Sequence, residues 1–326
     1  MYESRPSLRA YTKSLLKPSE TGIEIGGGYN PLATRKEGYS IYSIDHATRE
    51  ELVEKYKNDG NVRHLLDNIQ HVDAVDNGRE FRDLLGLDRG VDYIVGIHNF
   101  EHIPNPIRFL QRCENALADK GKICLVIPDR RGTFDYYRPY STIGQWMEAY
   151  KENHAIHSFS SLYNYYAYAT DGNGDYGTVN FLRPPHVVHE LVEDLYTQDA
   201  YNDAHGFVYT PASFAFLISY IQKIGLTTLG VDRILVPENS NFEFLAILKK
   251  NIETKPEMLK EYAINMVGEN INHRRDFRQA PAAAPAPRVP LRRQVYERIR
   301  ASHPVAAKVL YPLGKVMWRM YKKVKP

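Results

Sequence analysis

Residues 22–31 read Gly22–Ile23–Glu24–Ile25–Gly26–Gly27–Gly28–Tyr29–Asn30–Pro31. This stretch decides the fold. A short apolar run carries one acid, passes through three glycines and meets a proline. Glycines let the backbone adopt positive φ and approach a ligand closely. Proline suits the first turn of a helix, where its missing N–H has no intrahelical partner. The stretch therefore predicts a strand, a tight turn and a helix opening at Pro31, with a nucleotide-type ligand at the turn.

The chain on either side repeats that rhythm. Strand-like runs fall at 21–25, 40–44, 71–75, 93–97 and 122–127, and helical patterns lie between them at 49–56 and 106–117. Alternation of this kind predicts a doubly wound, mostly parallel α/β sheet with helices on both faces. Ligands in such folds sit at the carboxyl ends of the strands. From about residue 134 to 182 the pattern gives way to a tyrosine-rich segment, including Tyr136, Tyr137, Tyr140, Tyr163, Tyr165, Tyr166 and Tyr168. We read it as an insertion over the open end of the sheet. Helices at 185–196 and 211–224 and a closing hairpin of strands, 227–234 and 243–249, complete a domain spanning 1–279.

Two nucleotide motifs fail on the residues. The dinucleotide fingerprint G-x-G-x-x-G has Pro31 in its third glycine position, which disfavours a nicotinamide or flavin cofactor. No Gly-Lys-Ser/Thr follows, so there is no phosphate loop. Glu24 before the turn repels a pyrophosphate and attracts a cation. The pattern E-x-G-x-G resembles the first motif of class I S-adenosylmethionine-dependent methyltransferases. Three more matches follow in order. Asp45 ends the second strand 21 residues after Glu24. Residues 92–104 look like the family's fourth strand with its "EH-I/V-P" continuation. Residues 117–123 resemble its "L-x-x-G-G" turn, with Lys120 in place of the first glycine. The likeness is to the type-11 methyltransferase domain, and residues 127–135 resemble a bacterial subgroup with a "PDKR…FD" continuation. It implies a Rossmann-like methyltransferase with S-adenosylmethionine as cofactor, bound at Glu24, Gly26, Gly27, Gly28, Asn30, Asp45, His46, Asp76 and His98. Asp45 is the residue that accepts from the ribose hydroxyls in that family, and Asp76 sits where the adenine is approached. Asn30 departs from the fuller pattern's third glycine. Asp45 also has a second reading, as cap of the following helix, and Asp76–Asn77–Gly78 is a good turn in its own right.

His98–x–x–Glu101–His102 matches the reversed zincin motif, but that motif needs one continuous helix, and His98 directly follows a strand. Some RNA 3′-end methyltransferases use a Glu-x-x-Glu-His set here, from which this chain departs by placing His98 first. No metal is expected. His98 is expected in the cofactor pocket and His102 facing the acceptor. Methyl transfer depends mainly on alignment, and a hydroxyl acceptor needs a base. The catalytic candidates are His98, His102 and, in reserve, Asp129. The tyrosines of the insertion are expected to form the acceptor wall, with His154, His157, Arg130, Arg131 and Arg138 as donors to an anionic group. The expected acceptor is a small molecule or glycan precursor. The alternatives are an NAD-linked sugar oxidoreductase, a non-catalytic partner in glycan assembly, and an RNA methyltransferase.

Charge divides the chain. Residues 288–326 hold eleven Lys/Arg against Glu297 alone, a surplus of +10, while residues 1–287 carry −7. An Ala/Pro linker at 280–290 joins the domain to a basic amphipathic tail at 291–326. The tail's prolines and the Trp318/Tyr321 pair suit an anionic membrane surface better than nucleic acid. Two cysteines and an N-terminus without an apolar core suggest a cytoplasmic protein, peripheral to the inner face of a membrane.

Overall fold

The runs at 21–25, 40–44 and 93–97 lie side by side in a computed structural model, which describes residues 7–172, 179–237 and 242–277. The strands are β1 (Thr21–Ile25), β2 (Ser40–Asp45), β3 (Ala74–Val75), β4 (Val91–Ile97), β5 (Leu117–Pro128), β6 (Leu229–Leu235) and β7 (Glu243–Lys250). They form one sheet in the order β3-β2-β1-β4-β5-β7-β6. β1 to β5 are parallel, and β7 runs antiparallel to both β5 and β6. The expected doubly wound sheet is present, and strand order reverses between β1 and β4. The strand expected at 71–75 contracts to the two residues of β3.

Helices are α1 (Leu8–Ser14), α2 (Arg49–Tyr56), α3 (Phe81–Leu84), α4 (Pro106–Ala116), α5 (Ile143–Lys151), α6 (Phe159–Tyr168), α7 (Pro185–Thr197), α8 (Pro211–Lys223) and α9 (Pro256–Phe277). Period-two alternation along the central strands builds two cores. On one face Ile123, Leu125 and Ile127 of β5 and Phe244, Ala246 and Leu248 of β7 meet the buried sides of α4, α5 and α8. On the other, Cys124, Val126, Leu245 and Ile247 meet Leu8 of α1 together with Leu32 and Ala33. α4 starts at the Asn105 cap with Pro106 in its first turn, and Ile107, Leu110 and Cys113 recur on one buried stripe. Each fully buried aliphatic side chain of this kind contributes about 1.5–3 kcal/mol.

One expected element is replaced. No helix opens at Pro31. The chain instead runs through Leu32 and Ala33 to a single 3₁₀ turn at Arg35–Glu37, capped by Thr34 and ended by Gly38 at φ 88°. The cause lies in the partners of this segment. The Glu24 carboxylate accepts the N–H groups of Leu32 at 2.6 Å and Ala33 at 3.5 Å. Arg9 of α1 donates to the carbonyls of Asn30 and Pro31 at 2.8 and 2.6 Å. Leu32 and Ala33 are buried against the sheet, so the segment is held in a non-helical bend and α1 covers this face.

The insertion carries α5 and α6, which the sequence reading left without structure. Its Tyr163, Tyr165 and Tyr166 pack with Leu162 against Val188 and Val192 of α7, a small core separate from the other two. The turn-rich run Asp171–Gly172–Asn173–Gly174–Asp175 that follows lies partly outside the described residues. So do the linker and tail, which form a second unit, Ala280–Pro326, beyond the first, Met1–Gln279. Among the described residues no helix is long and apolar enough to cross a membrane.

Candidate active site

A cavity of about 1710 Å³ opens at the carboxyl ends of β1, β2 and β4. This exceeds the roughly 300–1,000 Å³ of a site for one small molecule, so it has room for a cofactor and an acceptor. Its two ends are built differently. One end is backbone. Gly26 turns out of β1 at φ +70° and Gly28 at +48°, and a Cβ on Gly26 would stand 2.6 Å from Asn99 Nδ2. Buried Asp45, at the tip of β2, accepts the Gly28 N–H through Oδ2 at 3.2 Å and the His46 N–H through Oδ1 at 2.8 Å. The His46 ring also turns its Nδ1 to Oδ1 at 2.7 Å. The helix-cap reading of Asp45 lapses, because Thr48 caps α2 in a reciprocal box with Glu51. Glu24, Asn30, Asp45, His46, Asp76 and His98 all line this cavity together with the three glycines.

Two of these acids have other duties. Glu24 holds the Leu32–Ala33 segment, and burial pushes its pKa up to about 7 against the pull of those N–H groups and Arg9. Asp76 is gripped by Arg112, at 2.6 and 3.1 Å, and takes the Gly78 N–H at 3.0 Å. Its carboxylate is thereby fixed to α4, and the turn expected on its own merits is present.

The other end is a cluster of side chains. Buried Glu101 and His205 and half-buried His102 bring one donor atom each within 4.8 Å of one another. His102 Nδ1 stands 2.9 Å from Asp203 Oδ1 and its Nε2 3.6 Å from Glu101 Oε1. Burial alone lowers the His102 pKa, but Asp203 and then Glu101 outweigh it and the net shift is upward. Contact with His102, and then the Lys55 ammonium at 2.7 Å, hold Asp203 well below the usual carboxylate range. His205 Nδ1 lies 2.5 Å from Asp135 Oδ2.

His98 does not join this cluster. It adopts the left-handed region at φ 49°, and its Nε2 lies 2.7 Å from Glu243 Oε2 at the start of β7. Holding a non-glycine residue there costs about 1–3 kcal/mol. It is stabilised by the His98 N–H, which donates to the Val126 carbonyl at 2.9 Å. Asp129, the reserve base, is corrected. Its buried carboxylate is taken up by the Arg131 guanidinium at 2.5–3.1 Å and by the Arg131 N–H, and it is not part of the cavity wall. Arg138 is also buried, donating to the His205 and Gly206 carbonyls beside Asp135. Arg130 donates to the Tyr136 carbonyl at 2.7 Å. None of these three arginines lines the cavity, and neither does His157, whose pKa burial pushes down to about 3. His154 does line it. The aromatic wall comes from Phe134, Tyr29, Tyr56 and Tyr201, not from the tyrosines of α6.

A family model described as a methyltransferase domain matches residues 4–171, which take in β1 to β5 and the glycine turn. The chain belongs to this methyltransferase family. Among solved structures it is similar to the CcbJ methyltransferase of Streptomyces caelestis, at 9% identity over 74% of this chain and 93% of the other, with TM-score 0.39. A SAM-dependent methyltransferase from Methanosarcina mazei aligns at 16% over 74% and 98%, TM-score 0.38. A Rhodobacter sphaeroides protein described as a putative zinc-dependent alcohol dehydrogenase aligns at 12% over 76% and 90%, TM-score 0.44. No match is found among curated proteins. The family match carries the assignment and removes the oxidoreductase alternative. This methyltransferase uses S-adenosylmethionine, and the residues present fit it. The glycine turn leaves open the space that a Cβ would fill, and buried Asp45 presents acceptor oxygens beside it.

Sequence reasoning missed Arg9, Asn99, Asp135, Asp203 and His205 of the methyltransferase. Asp135 belongs to the quoted 127–135 motif, which marks it. Asp203 and His205 lie about a hundred residues beyond His102 in a polar loop with no local pattern.

Proposed function

We propose that this methyltransferase transfers a methyl group to a hydroxyl of a small, carbohydrate-like acceptor held at the Glu101–His102–His205 end of the cavity. The observation that carries this reading is that one cavity is lined both by the glycine turn and by the Glu101–His102–His205 cluster. S-adenosylmethionine, when bound, supplies a methyl group on a positively charged sulfur. The chain does the rest. Gly26 to Gly28 admit the cofactor backbone-close, and Asp45 accepts from the ribose. Glu24 keeps the loop in place, and His98 with Glu243 shapes the wall between the two ends. At the other end an imidazole receives the hydroxyl proton, a service typically worth about 10²–10⁴-fold. Asp203, on His102 Nδ1, fixes that ring and favours its charged form.

Carboxylates alternating with Phe134 and Tyr201 around this end suit a hydroxyl-rich ligand, which offers donors to acids and apolar faces to rings. Arg130, Arg131 and Arg138 are engaged elsewhere, so the anion-binding role expected of them is dropped. Labelled S-adenosylmethionine offered with sugars, nucleotide sugars and glycans tests the reading. Methyl incorporation into a sugar hydroxyl is expected. Incorporation only into RNA or protein contradicts it.

We also propose that residues 291–326, which lie outside the described residues, contact anionic lipid at the cytoplasmic face. Their +9 charge surplus, or +10 counted from Arg288, supports the reading. The full chain should float with anionic liposomes, and a chain ending at residue 287 should not. Equal flotation of both contradicts it.

A further inference from the structure

Glu101 is placed where an acceptor role alone leaves it unexplained. It is 2% exposed, and neither of its carboxylate oxygens accepts a hydrogen bond. A buried carboxylate without partners is costly, and such groups are paired or coordinate metals. Two imidazoles aim at it. His102 Nε2 is 3.6 Å and His205 Nε2 3.9 Å from Oε1, too far for hydrogen bonds. The opposite nitrogen of each ring faces a second acid, Asp203 at 2.9 Å for His102 and Asp135 at 2.5 Å for His205. Histidine ligands typically hold the far N–H against a carboxylate, which fixes the tautomer and leaves the near nitrogen's lone pair free for an ion. His205 has that backing in its hydrogen bond to Asp135, and His102 has the Asp203 carboxylate at 2.9 Å as an ion-pair contact.

The distances bring the three groups around one point. Bonds of about 2.0–2.2 Å from an ion to nitrogen and oxygen set donor–donor edges of roughly 3–3.5 Å. The observed 3.6 and 3.9 Å, with all three donors within 4.8 Å of one another, close on an ion with side-chain shifts of about 1 Å. Two imidazoles and one carboxylate are the donor mixture of open, catalytic first-row sites and not of calcium sites.

We propose that Glu101, His102 and His205 bind one divalent first-row metal ion of the zinc or manganese type, with its open positions facing the acceptor end of the cavity. This departs from the metal-free site expected from sequence, and it replaces His98 by His205 in the grouping. The role of the ion rests on the methyl-transfer reading. It takes the acceptor oxygen as a ligand, orients it toward the glycine end and lowers its proton affinity. With the ion bound, His102 is a ligand and no longer the base, and the proton of the ion-bound hydroxyl is released to solvent as the methyl–sulfur bond breaks and the oxygen–methyl bond forms. The binding itself needs neither acceptor nor cofactor.

The test uses the full chain, stripped by chelator and dialysed. Zn²⁺ and Mn²⁺ are titrated by calorimetry, and Co²⁺ is followed by its visible absorption. One ion per chain is expected. Glu101→Gln, which keeps shape and removes charge, and His205→Ala should each weaken binding at least about 100-fold. Asp135→Asn should weaken it about 10–100-fold. His98→Ala should bind like the parent. Melting curves establish that each variant is folded, and Glu101→Gln decides alone if His205→Ala does not fold. Absence of binding by the parent, or binding by Glu101→Gln equal to it, overturns the site. S-adenosylhomocysteine titrated into the same samples reports on the methyl-transfer reading separately. Its binding without metal binding removes the ion and leaves that reading standing.

Discussion

The two ends of the cavity solve the same problem by opposite means. The cofactor end is drawn from neighbouring chain, residues 22–46, and its working parts are mostly backbone N–H groups and the space glycines leave. The acceptor end is assembled from three distant segments around residues 101, 135 and 205, and every working atom is on a side chain. A backbone-built end is tied to the sheet, so changing it disturbs β1 or β2. A side-chain end can be rebuilt for another acceptor without disturbing β1 or β2. The family match reaches residue 171 and so excludes Asp203 and His205.

The largest effect expected from this contrast is at the acceptor end. Loss of the His102 ring, as base or as ligand of the ion, should lower turnover about 10²–10⁴-fold in His102→Ala and leave S-adenosylhomocysteine affinity unchanged by calorimetry. Equal loss of both breaks the division into two ends.

Next comes the strap of the glycine loop. Glu24 has a folded-state pKa of about 7, above its ordinary 4.5, so the folded protein holds this proton more tightly than the unfolded chain. The stability it contributes is full below about pH 4.5 and declines as pH rises to 7, by up to about 3 kcal/mol. In Glu24→Gln that decline should disappear from denaturant titrations between pH 4.5 and 7. An unchanged slope means that Glu24 is not the titrating group.

Asp45→Ala removes a charged acceptor of hydrogen bonds. It should weaken S-adenosylhomocysteine about 10–100-fold, at 1.5–3 kcal/mol for such a bond as a rough guide, with metal or acceptor binding intact. The smallest functional effect belongs to Asp129→Asn. Stability should fall by about 1–3 kcal/mol as the buried Arg131 contact weakens, while turnover per folded molecule stays within about twofold. A large loss of turnover restores Asp129 as a base.

The same contrast explains what the sequence made legible. Strand positions follow from period-two apolar runs, and the glycine turn, Asp45 and their spacing are local, so the sheet and the cofactor end could be read directly. The helix expected at Pro31 could not be ruled out locally. It is prevented by Glu24, eight residues before its partner Leu32, and by Arg9 of α1, partners that only the fold brings together. The tyrosines of α6 suggested a ligand wall by composition, yet α7 uses them as core. His205 and Asp203 carry no signal, since their partners His102 and Asp135 are set by tertiary contact. Asp129 and Arg131 illustrate the converse, a motif whose charges satisfy each other two residues apart.

The central claim is that cofactor and acceptor are held by separable ends of one cavity. Calorimetry of S-adenosylhomocysteine with the parent, Asp45→Ala and His102→Ala chains tests it most directly. The account predicts one site in the parent, binding at least about tenfold weaker in Asp45→Ala, and parent-like binding in His102→Ala. No binding by the parent, or a loss in His102→Ala as large as in Asp45→Ala, contradicts it.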